Sequence, residues 1–218
     1  MKKIFVLFII GSLNASLFLV NVNAQRSEPF TTYTFALGMS SINAVEVNTV
    51  NSSLTVNGEA ASEAVVEMFV SGNSSRIRRR TLSDEEIKQY LEENYTIEVK
   101  VEGEKLKVVA RPKTNGVERY SVSFKITVPR QVNTNLRTTN GSVQISNLSG
   151  SQNLQTVNGS LTVKDVSGKI VGRTVNGSIT VTSSNDDIDM STVNGSITAR
   201  DCDGKVILNT VNGRVRRQ

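Results

Sequence analysis

Residues 156–163 read Thr-Val-Asn-Gly-Ser-Leu-Thr-Val, and residues 174–181 read Thr-Val-Asn-Gly-Ser-Ile-Thr-Val. The phrase has a close copy 18 residues on either side. Its Asn-Gly pairs fall at Asn140-Gly141, Asn158-Gly159, Asn176-Gly177, Asn194-Gly195 and Asn212-Gly213. A fixed period of this length marks a structural repeat, and it is the first thing to explain. Thr138, Thr156, Thr174, Thr192 and Thr210 form one column. Val143, Leu161, Ile179, Ile197 and Val215 form another, with Ile145, Val163, Val181 and Ala199 two residues on. A second turn follows half a period after each Asn-Gly, at Ser149-Gly150, Ser167-Gly168, Asn185-Asp186 and Asp203-Gly204. Each unit therefore reads strand, turn, strand, turn, with period-two alternation in the strand after Asn-Gly.

Two all-β architectures fit this grammar. Asn-Gly between alternating segments is a strong hairpin signal, so an antiparallel β-meander is one of them. The other is a two-sided β-solenoid, like a single-stranded β-helix, with one coil per 18 residues and like residues stacked about 4.8 Å apart. A meander needs only alternation, whereas stacking explains why both turns and every column recur. A hairpin at Asn158-Gly159 would also oppose Thr156 to Leu161, a polar–apolar mismatch. The solenoid is the favoured expectation, with Asn and Gly placed at the first turn for positive φ.

The repeat starts again further upstream. Thr49-Val50-Asn51-Ser52-Ser53-Leu54-Thr55-Val56 carries the phrase with Ser52 in the glycine place. Between this copy and the regular array (136–218) an insertion spans about 59–130. Within it Ser83-Asp84-Glu85-Glu86 is a capping box, with Leu82 and Ile87 placed as a hydrophobic staple. Ile87, Tyr90 and Leu91 mark one face of a short helix ending near Asn94, expected to cover an end or edge of the sheets. Ile97, Val99 and Val101, then Leu106 and Val108, then Tyr120 to Val128 alternate as strands, the last closed by Pro129.

The phrase Ser-Phe-Lys-Ile-Thr-Val-Pro (123–129), followed by serial Thr-Val-Asn-Gly-Ser-Ile units, resembles the bacterial putative-adhesin β-repeat family, a domain of unknown function. The resemblance covers about residue 40 to 218. It implies an exported, solenoid-like β domain, and it supplies no catalytic residues to carry over.

At the start, Lys2 and Lys3 precede an apolar run from Ile4 to Val20, and Val22-Asn23-Ala24 is a signal-peptidase pattern. Gly11, Ser12 and Asn14 interrupt the run and make it a poor membrane span. Residues 1–24 are therefore expected to be a cleaved export signal and 25–218 a single β-repeat domain, in the periplasm or at the outer cell surface. The chain of 218 residues carries a net charge of +5, but an exported protein is not expected to meet nucleic acid.

Composition excludes much chemistry. With no His and one Cys, His-based triads, Cys–His dyads, zinc cages and intrachain disulfides are ruled out. Ser and Thr recur as lattice elements rather than beside a base, so no enzyme, no cofactor and no metal site is expected. Asp165, Asp186, Asp187, Asp189, Asp201 and Asp203 gather at the second turn, but lysines stand beside them and the first turn has no carboxylate. Solvated turn charges explain them better than calcium does. The Asn-Gly-Ser triplets also match the glycosylation sequon, as do those at Asn73 and Asn94, and are read as turn chemistry. Cys202 falls in the column of Leu148 and Val166 and reads as a buried small hydrophobe.

What remains is binding. In the strand after Asn-Gly, Ser160, Thr162, Ser178, Thr180, Ser196 and Thr198 alternate with apolar residues and must point away from the core. They are the candidate site for weak, repeated contacts to an envelope glycan or protein. A partner-binding module in envelope stress sensing or assembly is the alternative. Flat Thr-rich faces can also bind ice, but Lys164 and Arg200 interrupt this one. A second candidate is the basic cluster Arg76, Arg78, Arg79 and Arg80, suited to anionic glycans or lipid headgroups. Arg217 falls in the apolar column of Ala199, where a charge opposes addition of another coil, and a monomer is expected.

Overall fold

The computed structural model describes residues 17–19, 31–37, 42–60, 64–72, 83–114 and 120–218. The basic cluster at 76–80, Leu82, the sequon at Asn73 and most of the expected export signal lie outside the described residues.

The described part is all-β apart from one helix, and its strands form two mixed sheets. Before the array come β1 (Leu17–Leu19), β2 (Thr31–Ala36), β3 (Ala44–Thr49), β4 (Leu54–Glu59), β5 (Val65–Gly72), α1 (Asp84–Asn94), β6 (Tyr95–Glu102), β7 (Lys105–Pro112) and β8 (Tyr120–Pro129). The array begins with β9 (Asn133–Arg137), β10 (Val143–Ser146), β11 (Gln152–Gln155), β12 (Leu161–Lys164) and β13 (Ile170–Asn176). It ends with β14 (Ile179–Ser184), β15 (Ile188–Asn194), β16 (Ile197–Cys202), β17 (Val206–Asn212) and β18 (Val215–Arg217). One sheet has ten strands in the order β1-β2-β5-β8-β4-β10-β12-β14-β16-β18, and the other eight, β17-β15-β13-β11-β9-β3-β7-β6.

Within the array every pairing is parallel. Leu161 stands beside Val143 and Ile179, and Ile197 beside Ile179 and Val215, so each strand lies on its copy 18 residues away. The antiparallel meander does not occur there. Among the described residues antiparallel pairing is confined to β1-β2-β5-β8 and to β6-β7. The upstream copy of the phrase joins the same lattice, since β4 pairs with β10 through Leu54 and Val143. β3 likewise lies in parallel beside β9.

The alternation read from sequence is the alternation of burial. Leu161, Val163, Ile179, Val181 and Ile197 are fully buried. The two sheets face each other across this core: a Cβ at Gly172 of β13 would lie 3.2 Å from Leu161 of β12. The same hypothetical Cβ would lie 2.2 Å from Met190 Sδ, so the methionine fills the space that the glycine leaves.

The helix begins where the capping box places it. The Glu86 N–H donates to Ser83 Oγ (3.3 Å) and the Ser83 N–H to Glu86 Oε2 (3.1 Å). Asp84, Glu85 and Glu86 add negative charge to its first turn, which the helix dipole favours. Ile87 and Leu91 are buried in the common core. Tyr90 packs edge-on against Tyr120 with centroids 4.7 Å apart, and the Tyr95 hydroxyl donates to the Tyr120 carbonyl at 2.9 Å. The charges of Asp84, Glu85 and Glu92 act on Tyr33 of β2. The helix thus closes the end of the core remote from β17 and β18.

The two corners of the repeat differ in their physics, and one expectation is corrected. At the second corner Asn147, Asp165, Ser183 and Asp201 have φ of 57°, 52°, 51° and 50°, and Gly150, Gly168, Asp186 and Gly204 are also positive. Positive φ explains the Asn, Asp and Gly of that corner. It does not explain Asn140-Gly141, Asn158-Gly159 and their copies, none of which has positive φ. There a Cβ at Gly159 would lie 2.0 Å from the Gly141 carbonyl oxygen, and one at Gly177 equally close to Gly159. Glycine is required because stacked backbones touch. Ser52 is tolerated in the same column because its outer neighbour, β8, runs straight past instead of turning.

Candidate binding face

The outer surface of the ten-stranded sheet is built by the alternation itself. With Leu161 and Val163 turned inward, Ser160, Thr162 and Lys164 turn outward, and the parallel register aligns them with neighbouring copies. Thr162 stands beside Gln144 and Thr180, and Thr198 beside Thr180 and Arg216. Ser178 and Ser196 are exposed, and Ser160, Thr162, Thr180 and Thr198 are half-buried. The structure thus brings the six hydroxyl residues singled out from the sequence onto one surface. On β10, β12, β14, β16 and β18 and the residues just before them, the remaining outward positions are polar or cationic: Ser142, Gln144, Ser146, Lys164, Thr182, Arg200, Arg214 and Arg216.

Along the first corner runs a ladder of side-chain amides. Asn158 Nδ2 donates to Asn140 Oδ1 at 2.7 Å, and Asn176, Asn194 and Asn212 each donate to the preceding asparagine at 2.8 Å. Asn140 continues the ladder to Asn51 at 2.6 Å. Each rung uses one N–H and one lone pair, which leaves one donor hydrogen of each amide outside the ladder.

Sequence reasoning missed the direction of the residues before this ladder. Thr156, Thr174 and Thr192 are buried, and each hydroxyl donates at 2.9 Å to the carbonyl oxygen of the preceding glycine, Gly141, Gly159 and Gly177 respectively. The valines that follow turn out instead. Val157, Val175 and Val193 are 40%, 39% and 38% exposed and form an apolar row on the corner. Composition alone would put valine inside and threonine outside. No signal in the sequence marks the difference: the outward Ser142, Ser160, Ser178 and Ser196 recur as evenly as the inward threonines, and the inward Val143, Leu161 and Ile179 vary.

Charge is unevenly placed. Lys100 bridges Glu98 (2.5 Å) and Glu102 (2.6 Å), and Lys125 pairs with Glu67 at 2.8 Å. The hydrogen bond from Lys100 holds the Glu102 carboxyl below the usual range, and the same bond raises Lys100. Among the described residues no group of three or more His, Cys, Asp or Glu is placed to hold a metal ion. Cys202 is buried and free, and its thiol lies 3.1 Å from the Arg200 carbonyl oxygen. Among the described residues no helix is long and apolar enough to cross a membrane.

No protein-family model matches the chain, and no curated protein matches it. Similar solved structures include a "putative cell adhesion protein" from Clostridium sporogenes, with 11% identity over 94% of this chain and 99% of that one, at a TM-score of 0.38. A "putative adhesin" from Bacteroides fragilis has 12% identity over 86% of this chain and 97% of that one, at 0.42. A "putative lipid binding protein" from Parabacteroides distasonis has 10% identity over 85% and 96%, at 0.25. At these distances the names belong to those proteins and do not carry over to this chain.

Proposed function

We propose that this chain is an exported, non-enzymatic β-solenoid scaffold, adhesin-like, whose Ser/Thr-rich face makes weak multivalent contacts to a glycan or protein of the cell envelope. The observation that supports this reading is the register of the outward hydroxyls. Thr162, Thr180 and Thr198 lie on adjacent parallel strands, about 4.8 Å apart. Identical groups at equal spacing suit a ligand that itself repeats, because many small contacts then add.

The test begins with a glycan array and with capture from envelope extracts. Replacing Thr162, Thr180 and Thr198 together with Glu leaves the buried columns intact, so the β-type circular dichroism spectrum should persist. Binding of whatever ligand the array identifies should be lost. Undiminished binding by the folded triple variant would place the ligand elsewhere.

A second reading, a periplasmic module that docks a partner protein in envelope stress sensing or assembly, is favoured by the exposed row of Val157, Val175 and Val193. Protease shaving of intact cells separates the two, since only a surface protein is cut.

A further inference from the structure

The hydroxyl face changes character toward its outer edge. Arg200 on β16 and Arg214 and Arg216 around β18 are exposed on the same side as Ser196 and Thr198. The Arg214 N–H donates to Ser196 Oγ at 3.4 Å, and Arg216 stands beside Thr198 in the register. Arg200 uses its Nε on the Gln218 side-chain oxygen at 2.8 Å, so its terminal nitrogens are not spent on that bond. No ion pair engages Arg214 or Arg216 among the described residues. The carboxylates nearest in sequence, Asp201 and Asp203, stand at the second corner, and Asp165 of that corner faces Lys164 at 3.8 Å.

From this placement we infer that the face takes an anionic polysaccharide, an extended chain of carboxylate-bearing sugars laid across the strands. The inference rests on the binding-face reading above and narrows its ligand. Guanidinium groups pair with carboxylates through two parallel N–H donors. The threonine and serine columns meet sugar hydroxyls, and their strand spacing is close to the advance per residue of an extended β-linked glycan. Exposed single pairs are each weak, so a polymer that reaches several of them at once is held where a monosaccharide is not.

The same surface argues against other polyanions. Outward positions of β10, β12, β14, β16 and β18 carry no aromatic ring on which a nucleobase could stack. They also carry no apolar side chain to enter a lipid headgroup layer.

The experiment measures binding of the whole chain to poly-β-mannuronate and alginate, with dextran and cellohexaose as neutral counterparts and duplex DNA and phosphatidylserine vesicles as other polyanions. Acidic polymers should bind at least about tenfold more tightly than neutral ones, and the difference should shrink between about 50 and about 300 mM salt as charges are screened. The variant carrying Arg200→Gln, Arg214→Gln and Arg216→Gln should lose about tenfold or more in affinity while its thermal transition stays in place. Equal binding of neutral and acidic polymers, full binding by the Gln variant, no binding of either acidic polymer, or tighter binding of DNA or vesicles would each overturn the inference. The Thr→Glu triple variant separates its failure from that of the broader reading. If it loses a glycan that the Gln variant keeps, the hydroxyl face binds but the ligand is not recognised by charge. If only the Gln variant loses binding, the arginines bind without the hydroxyl face, and the broader reading falls.

Discussion

The Thr174 hydroxyl donates to the carbonyl oxygen of Gly159 at 2.9 Å, joining each repeat to the turn of the one before. Thr174 is buried and Gly159 half-buried, so losing this bond leaves a carbonyl short of a partner where water reaches it poorly. Thr174→Val keeps the shape and removes the donor, and should cost about 1–2 kcal/mol in denaturant unfolding. Thr174→Ser keeps the donor and should recover part of that loss. Equal stability of the Val variant and the wild type would show that the bond contributes nothing net.

The glycine that accepts this bond is itself under a steric constraint. Gly159→Ala would set a Cβ 2.0 Å from the Gly141 carbonyl oxygen, and no side-chain rotation relieves a backbone contact. Separation of the stacked turns should cost about 3 kcal/mol or more. At Gly103 the space is open but φ is +62°, so Gly103→Ala should cost only about 1 kcal/mol. Similar midpoints for the two variants would refute the close-approach account.

That account also marks how far the sequence could be read. The period, the helix with its Ser83 cap, and the joining of Leu54 to the Val143 column were all legible, because columns and caps are local signals. The reason for Asn158-Gly159 was not. Asn-Gly looks the same whether a turn needs positive φ or a stack needs a missing Cβ, and only the backbone distinguishes them. The inward Thr156 and outward Val157 were hidden for a related reason, since the acceptor of the threonine hydroxyl, Gly141, lies 15 residues back. The six hydroxyl residues of the candidate face were legible by alternation alone. The columns of Arg214 and Arg216, 18 residues beyond Ser196 and Thr198, were legible in the same way, whereas their exposure and the single Nε contact of Arg200 needed the structure.

Register makes a sharp distinction between neighbours. Ile179 is fully buried between Leu161 and Ile197, whereas Val175 is 39% exposed. Ile179→Asp buries an unpaired charge and should cost about 4 kcal/mol or more, enough to unfold several repeats. Val175→Asp should cost about 1 kcal/mol or less. Thermal melts that ranked the two the other way round would reverse the assignment of inside and outside.

Tyr33 ties the helix to alkaline stability. Its hydroxyl is pushed up to about 12, by burial first and then by the charges of Asp84, Glu85 and Glu92. Below pH 10 both folded and unfolded chains hold the proton, and the full contribution to stability is present. Between pH 10 and about 12 the unfolded chain releases it while the folded chain does not, so stability falls as pH rises. Melting temperatures across that window should drop more steeply for the wild type than for Tyr33→Phe. Parallel curves would mean that Tyr33 ionises alike in both states.

The last prediction concerns β17 and β18, which among the described residues are the outermost strands of their sheets at this end and pair on one side only. Arg217 aligns with Ala199, the end of a column whose other members, Ile145, Val163 and Val181, are fully buried. Its guanidinium folds back toward the Cys202 carbonyl at 3.5 Å, which sets a charge over the open end of the core. A charge in an inward column is a common protection of a sheet edge, because an added strand would have to bury it. Arg217→Val removes that barrier and lays an apolar residue over Ala199. Sedimentation velocity should then show association that the wild type lacks. Arg216→Val deletes the same charge from an outward column and should sediment as the wild type does. If both variants associate equally, net charge rather than column position protects the edge. If neither does, the edge is guarded by something other than Arg217.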